Sequence, residues 1–141
     1  MDDIRPYAES LERLKQANLR PTRQRLALGK MLFTQGPRHV TAEQLHNEAL
    51  EAGVRVSLAT VYNALNQFTA TGLLREVVVD PTRAYFDTNT GDHHHFYFEE
   101  TGELRDIEAD EFGVATLPPA PEGTTVERVD VVIRVRGSSR N

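Results

Sequence analysis

Three consecutive histidines, His93-His94-His95, are the residues of this chain whose type and spacing most directly suggest chemistry. In an extended segment alternate side chains share a face, so His93 and His95 point one way and His94 the other. Two imidazoles about 7 Å apart on one face can share a metal ion if further ligands come from elsewhere. His39 and Asp87 are the available candidates. A site of His39, Asp87, His93 and His95 would join two halves of the chain, which is where a sensor needs its ligand. Its donors are nitrogen and oxygen only, which suits Fe(II), Mn(II) or Zn(II). Neutral imidazole is also an axial ligand for haem iron, so the run His93-His94-His95 is a candidate haem site as well. His46 lies on a predicted helix and reads as a surface or core histidine rather than a ligand. The chain has no cysteine. Disulfides, thiolate zinc sites, iron–sulfur clusters and cysteine nucleophiles are excluded together. No Ser/His/Asp arrangement, glycine-rich phosphate loop or paired-carboxylate motif stands out, and the chain is read as a non-enzyme.

A second pattern lies in residues 57–71. On a helical wheel Leu58, Val61, Leu65 and Phe68 gather on one side, with Tyr62 at its edge. Ala59, Thr60, Asn63, Ala64 and Gln67 occupy the other. That outer face is small, uncharged and amide-rich. Asn and Gln make bidentate contacts to adenine, and Thr or Ala can touch thymine methyls, so the face is suited to reading a major groove. The ring of Tyr62 could pack in the core and send only its hydroxyl to a phosphate or base. Between residues 13 and 38 stand seven basic residues and no acid. Such a stretch supplies phosphate contacts, which position a protein without specifying sequence. Arg20, at a break between helices, is the one expected to enter a minor groove.

The elements that must position these groups can be read from periodicity. Leu11, Leu14 and Ala17 form a helical stripe within 6–18, broken at Asn18-Leu19-Arg20-Pro21 because the residue before proline is pushed out of the helical region. Thr22 caps a second helix with Leu26, Leu28, Met31, Leu32 and Phe33 on its apolar side. Thr41-Ala42-Glu43-Gln44 fits a capping box for a third helix, whose buried side is Leu45, Ala49 and Leu50 and whose stop is Gly53. Ser57 caps the fourth, closed by Gly72. This is a helix-turn-helix core. The period then changes to that of a β-hairpin, 73–79 and 84–88 around Asp80-Pro81-Thr82-Arg83, which would be the wing of a winged helix. Two short strands, 93–98 and 103–107, follow. A brief helix is expected at 108–115, an extended connector at 117–121, and a half-buried strand over 125–136 with Val129, Val131, Ile133 and Val135 on one face.

The fold class is therefore α+β, an N-terminal winged helix-turn-helix domain followed by a small α/β dimerisation domain. The expected boundaries are 1–88 for DNA binding, a linker at 89–92, and 93–141 for dimerisation and ligand sensing. Three strands make too small a core to stand alone, so the second part should pair with another copy. The net charge of −5 over 141 residues hides an asymmetry, +3 in residues 1–75 and −8 in 76–141. A polyanion partner is not excluded by that total, because charge acts over about 8 Å at physiological salt. No apolar run of about 18 residues predicts a membrane span, and the N-terminus lacks the pattern of a secretory signal. A cytoplasmic location is expected.

Residues 11–107 resemble the ferric uptake regulator superfamily of metal-responsive transcription repressors. The resemblance is carried by LKQANLRPTRQRLAL, HVTAEQLH, SLATVYNALNQFTATGLL and the histidine cluster. Within it, YFDTN…HHHFYFE and the C-terminal PPAPEGTTVERVDVVIRVR are similar to the iron response regulator branch found in alphaproteobacteria. The resemblance implies a symmetric homodimer on AT-rich inverted-repeat operators in double-stranded DNA. It implies Tyr62 and Asn63 as major-groove contacts, with Thr60 and Gln67 on the same face and Arg20 in the minor groove. His39, Asp87, His93 and His95 match the superfamily's inter-domain metal ligands, with Asp87 where a glutamate is usual. Asp92, His94 and Glu111 correspond to part of a second ligand cluster whose far histidine has no match here. The paired Cys-x-x-Cys motifs of a structural zinc are absent, and so is the Cys-Pro haem motif of some branch members. A haem response would then rest on His93, His94 and His95. The branch implies a regulator active under iron limitation and released by haem. The alternatives are a repressor that needs Fe, Mn or Zn as corepressor, and a His-ligated metal or haem protein without operator DNA.

Overall fold

The computed structural model describes residues 7–91, 94–107 and 117–137. The chain divides into two compact units, one ending at Thr90 and the next beginning at Gly91. Among the described residues no helix is long and apolar enough to cross a membrane.

The first unit contains four helices, α1 (Ala8–Gln16), α2 (Arg23–Phe33), α3 (Ala42–Glu51) and α4 (Leu58–Ala70). Their starts are set by hydroxyl caps. Thr22 accepts from the Arg25 N–H at 3.2 Å, Thr41 from the Gln44 N–H at 3.1 Å, and Ser57 from the Thr60 N–H at 3.1 Å. Each satisfies a donor that the first helical turn leaves without an intrahelical partner. Asn18 takes a left-handed conformation, φ 59°, and turns the chain out of α1. Gly72, φ 86°, does the same after α4, where a side chain would be strained. The core joins Leu14, Leu28, Leu32, Leu45, Ala49, Val61, Leu65 and Phe68 from the four helices. Phe33 and Phe68 meet at 6.0 Å with a 53° tilt, a favourable aromatic geometry. Each fully buried Leu or Phe is worth about 1.5–3 kcal/mol, and truncating Phe68 to Ala would cost about 3–5 kcal/mol.

The sheet of this unit has the order β1-β3-β2, made of β1 (His39–Val40), β2 (Arg75–Asp80) and β3 (Arg83–Asp87), all antiparallel. The two-residue β1 is an element that periodicity cannot reveal. It exists because Arg38 and Thr88 exchange bonds beside it, Thr88 N–H to the Arg38 carbonyl and Arg38 N–H to the Thr88 hydroxyl, both at 3.0 Å. Val40 and Phe86, opposite each other, join the helical core.

The second unit holds β4 (His94–Phe98), β5 (Leu104–Ile107) and β6 (Val132–Val135) in the order β5-β4-β6. β4 pairs antiparallel with β5 across the turn at Gly102 and parallel with β6. The strand expected over 125–136 is shorter than its alternating pattern suggests. Pairing with β4 begins only opposite His95, and residues 124–128 are exposed. Two other expectations fail for geometric reasons. Leu50 is 53% exposed rather than buried, because it lies around the helix from Leu45 and Ala49. Ala64, placed on the outer face of the fourth helix by the wheel, is buried in the core. The helix expected at 108–115 lies outside the described residues.

Candidate nucleic-acid interface and ligand sites

The outer face of α4 is a shallow exposed surface of Ala59, Thr60, Tyr62, Asn63 and Asn66. Its side chains are uncharged. Asn66 takes the place that the wheel assigned to Ala64, one helical turn beyond Tyr62 and Asn63. The signal was in the sequence, an amide at i+3 from Asn63. Gln67 is half-buried and its amide oxygen accepts from the Arg25 guanidinium. Arg25 also donates to the Arg20 carbonyl at 2.8 Å. One guanidinium thus ties the exposed Arg20 turn to α4, so Arg20 and α4 are held as one piece. Thr60 is partly engaged, its hydroxyl accepting from Ser57 at 2.9 Å.

Tyr62 is 40% exposed, and its hydroxyl donates to the Glu43 carboxylate at 2.9 Å. That bond, with desolvation and the carboxylate's charge, raises the tyrosine above its ordinary pKa, since each disfavours the phenolate. The turn between α3 and α4 is closed by His46, whose Nε2 lies 3.1 Å from the Val56 carbonyl. This histidine is a fastener of the helix-turn-helix.

In the first unit His39 and Asp87 are directly opposed on β1 and β3. Side chains of directly opposed antiparallel residues project from the same face, about 5 Å apart at their Cβ atoms. Asp87 is 1% exposed, and its Oδ1 accepts from the Asn89 N–H at 2.9 Å. Its neighbour on the other side is Arg75 of β2, 3% exposed. In the second unit His95 is 2% exposed, with Nε2 3.2 Å from Oδ1 of Asp106, the residue opposite it on β5. This imidazole–carboxylate contact is of the kind that orients histidines at metal sites. Asp106 was missed by sequence reasoning because its role comes from register with β4, which periodicity does not give. His94 differs. Its Nδ1 accepts from the Val131 N–H at 3.1 Å, which couples this ring to the approach of β6. His93, Asp92 and Glu111 lie outside the described residues. The donors that are described, imidazole nitrogens and carboxylate oxygens, fit Fe(II), Mn(II) or Zn(II).

Helix-turn-helix and wing in one unit, followed by a small α/β unit in which the buried His95 pairs with the exposed Asp106, define a DNA-binding regulator of winged-helix class. The model of the ferric uptake regulator family matches residues 16–132, and the chain belongs to that family. The chain is 38% identical over 92 residues to the ferric uptake regulation protein of Pseudomonas aeruginosa, covering 64% of this chain and 69% of that one. It is 32% identical over 100 residues to the peroxide-responsive repressor PerR of Staphylococcus aureus, covering 71% and 67%. Among solved structures, the ferric uptake regulator of Pseudomonas aeruginosa with manganese aligns with a TM-score of 0.70 and 29% identity, covering 91% of this chain and 97% of that chain. The fold is also that of the Vibrio cholerae ferric uptake regulator, TM-score 0.70 at 22% identity, over 89% and 98% of the two chains. This protein is therefore a metal-responsive transcriptional regulator, of a family whose members bind DNA and act as dimers.

Proposed function

We propose that this chain is an iron- and haem-responsive regulator that binds AT-rich inverted-repeat operators when iron is scarce and is released from them by haem. The observation that carries the reading is the state of the β4 histidines. The Nδ1 of His94 accepts a backbone bond from Val131, and Nε2 of His95 pairs with Asp106. If His94 held a haem iron through Nδ1, that nitrogen could no longer accept from the Val131 N–H; if it did so through Nε2, the ring proton would sit on Nδ1 and oppose the same N–H. Either way haem at the histidine run works against the β4–β6 pairing. A ligand whose binding costs sheet pairing acts as a disruptor, which is the logic of release rather than of corepression.

On DNA, Tyr62 and Asn63, with Thr60 and Gln67, would read the major groove and Arg20 the minor groove. Half-sites of a symmetric dimer lie about one helical turn apart, so a small change in the second unit is enough to misplace two reading helices. The dimer surface is proposed as the β4–β6 face bearing Phe96, Phe98, Ile133 and Val135. These are register partners and remain only half-buried in the single chain. In place of a cysteine-held zinc, this apolar face would hold the copies together.

A second reading is favoured by the His95–Asp106 pair, an imidazole held by a carboxylate as histidines are at metal sites. In it His39, Asp87, His93 and His95 bind Fe(II), Mn(II) or Zn(II) as corepressor. The experiment is fluorescence anisotropy of a labelled AT-rich inverted-repeat duplex with metal-free protein, followed by hemin and, separately, MnCl2. Metal-free binding that hemin reverses, and that survives hemin when His93, His94 and His95 are changed to Ala, supports the first reading. Binding that appears only with Mn(II) overturns it in favour of the second.

A further inference from the structure

Asp87 sits in the central strand of its sheet with His39 opposite it on one side and Arg75 opposite it on the other. Imidazole, carboxylate and guanidinium therefore form one row across three strands, all on the same face. The carboxylate and the guanidinium are each almost completely buried. The next row on that face is apolar, Val77 opposite Tyr85, and both are buried. A carboxylate in such surroundings is costly without a cation beside it, and the N–H that Asn89 donates to its Oδ1 supplies a dipole rather than a neutralising charge. A metal ion is one such cation. Arg75 is another, and the chain carries it permanently.

We propose that Arg75 is the resident cation of the regulatory site. Its guanidinium neutralises Asp87 in the metal-free protein, so that the wing sheet holds its DNA-binding form without a metal, and a divalent ion that takes Asp87 as a ligand must do so beside this fixed positive charge. The inference rests on the reading above, in which the metal-free chain is the one that binds DNA, and it supplies the physical reason for that behaviour. A guanidinium is always protonated, so this neutralisation is independent of pH and of metal supply. An ion pair that served only stability would make a different prediction. Its loss would weaken the fold without making the site a better one for metal.

The test uses the full-length chain and the substitutions Arg75→Gln, Asp87→Asn and the two together. Mn(II) binding is followed by the electron paramagnetic resonance signal of free MnCl2, DNA binding by anisotropy of the AT-rich inverted repeat, and folding by circular dichroism. Arg75→Gln should bind Mn(II) about 10–100-fold more tightly than wild type, because a fixed positive charge beside a carboxylate changes its affinity for a competing cation by roughly one to three orders of magnitude. It should lose at least tenfold in metal-free operator affinity, with the loss reversed by Mn(II). In the double variant, where the carboxylate no longer needs a cation, the gain in Mn(II) affinity should vanish. Should Arg75→Gln fail to fold without metal, Mn(II) must fold it. A folded Arg75→Gln with an unchanged Mn(II) Kd or unchanged metal-free operator binding overturns the proposal, as does an unfolded one that Mn(II) does not rescue. Wild-type protein that binds the operator only with Mn(II) overturns the functional reading instead.

Discussion

Gly29 stands in the middle of α2, where α1 crosses it, and a Cβ built there falls within hard contact of the Ser10 Oγ and 3.4 Å from the Ser10 Cβ. Ser10 is buried, and its hydroxyl donates to the Leu26 carbonyl at 2.9 Å. Gly29→Ala should gain about 1 kcal/mol from helix propensity, since alanine loses less backbone entropy than glycine. Against that, the new methyl forces the Ser10 hydroxyl off Leu26 or pushes α1 away. Stranding a buried hydroxyl costs about 1–3 kcal/mol, and overpacking a closed contact costs a similar amount. The expected net effect is a loss of about 1 kcal/mol, or roughly 4–8 °C in the melting temperature of a unit this size. Removing the oxygen should reverse it. Ser10→Ala with Gly29→Ala keeps the propensity gain without the clash, so the double variant should be more stable than Gly29→Ala alone by more than about 1 kcal/mol, a coupling measurable in a double-mutant cycle. The assay is thermal unfolding by circular dichroism at fixed protein concentration, with operator anisotropy in parallel. Because α2 carries Arg25, which holds the Arg20 turn, weaker operator binding should accompany the lower melting temperature. A Gly29→Ala protein that melts higher than wild type, or a cycle without coupling, would refute the claim that close approach to Ser10 is why glycine stands there.

Other outcomes follow from α4 and the Arg20 turn. Absorbance titration of the phenolates should find Tyr62 ionising above the ordinary tyrosine range, with Glu43→Gln bringing it back toward that range. The sign is set by the raised value: the bond to Glu43 contributes below about pH 10 and is lost as pH rises through the pKa of folded Tyr62. Stability of the wild type should therefore fall more steeply than that of Tyr62→Phe in that alkaline window, and a parallel decline in the two proteins would contradict the assignment. Asn63→Ala should lower operator affinity about 10–100-fold at one base-pair position and leave others unaffected, as expected for a bidentate base contact worth about 1–3 kcal/mol. Arg20→Ala should weaken binding to the AT-rich operator more than to a duplex whose flanking A·T pairs are replaced by G·C, as expected for an arginine in a narrow minor groove. Equal losses on scrambled DNA for Asn63→Ala would show that this residue positions rather than specifies.

What the sequence made legible was local. Caps at Thr22, Thr41 and Ser57, stops at Gly53 and Gly72, and the hairpin around Asp80 to Arg83 are each decided by residues within one turn of one another. What it hid depends on register between distant segments. Leu50 and Ala64 were misplaced because a helical wheel gives a direction only relative to a packing partner that it does not know. Gln67 lies near the outer face of α4, yet its amide is engaged by Arg25, 42 residues away in sequence. The same limit hid the charged row. His39 and Asp87 could be singled out by type, but that they oppose each other, and that Arg75 stands at the other shoulder of the same carboxylate, is a consequence of strand order β1-β3-β2. Arg75 in the sequence is merely the first residue of a β-hairpin. In the sheet it is a buried positive charge beside a metal-type ligand, and it shifts the question about this site. The donors alone say which ions fit. The guanidinium says how strongly the site needs one, because a carboxylate already neutralised gains less from a divalent ion than one that is bare. Two regulators with identical ligands can then differ in whether metal is required for DNA binding, and the difference resides in a residue that touches neither DNA nor metal.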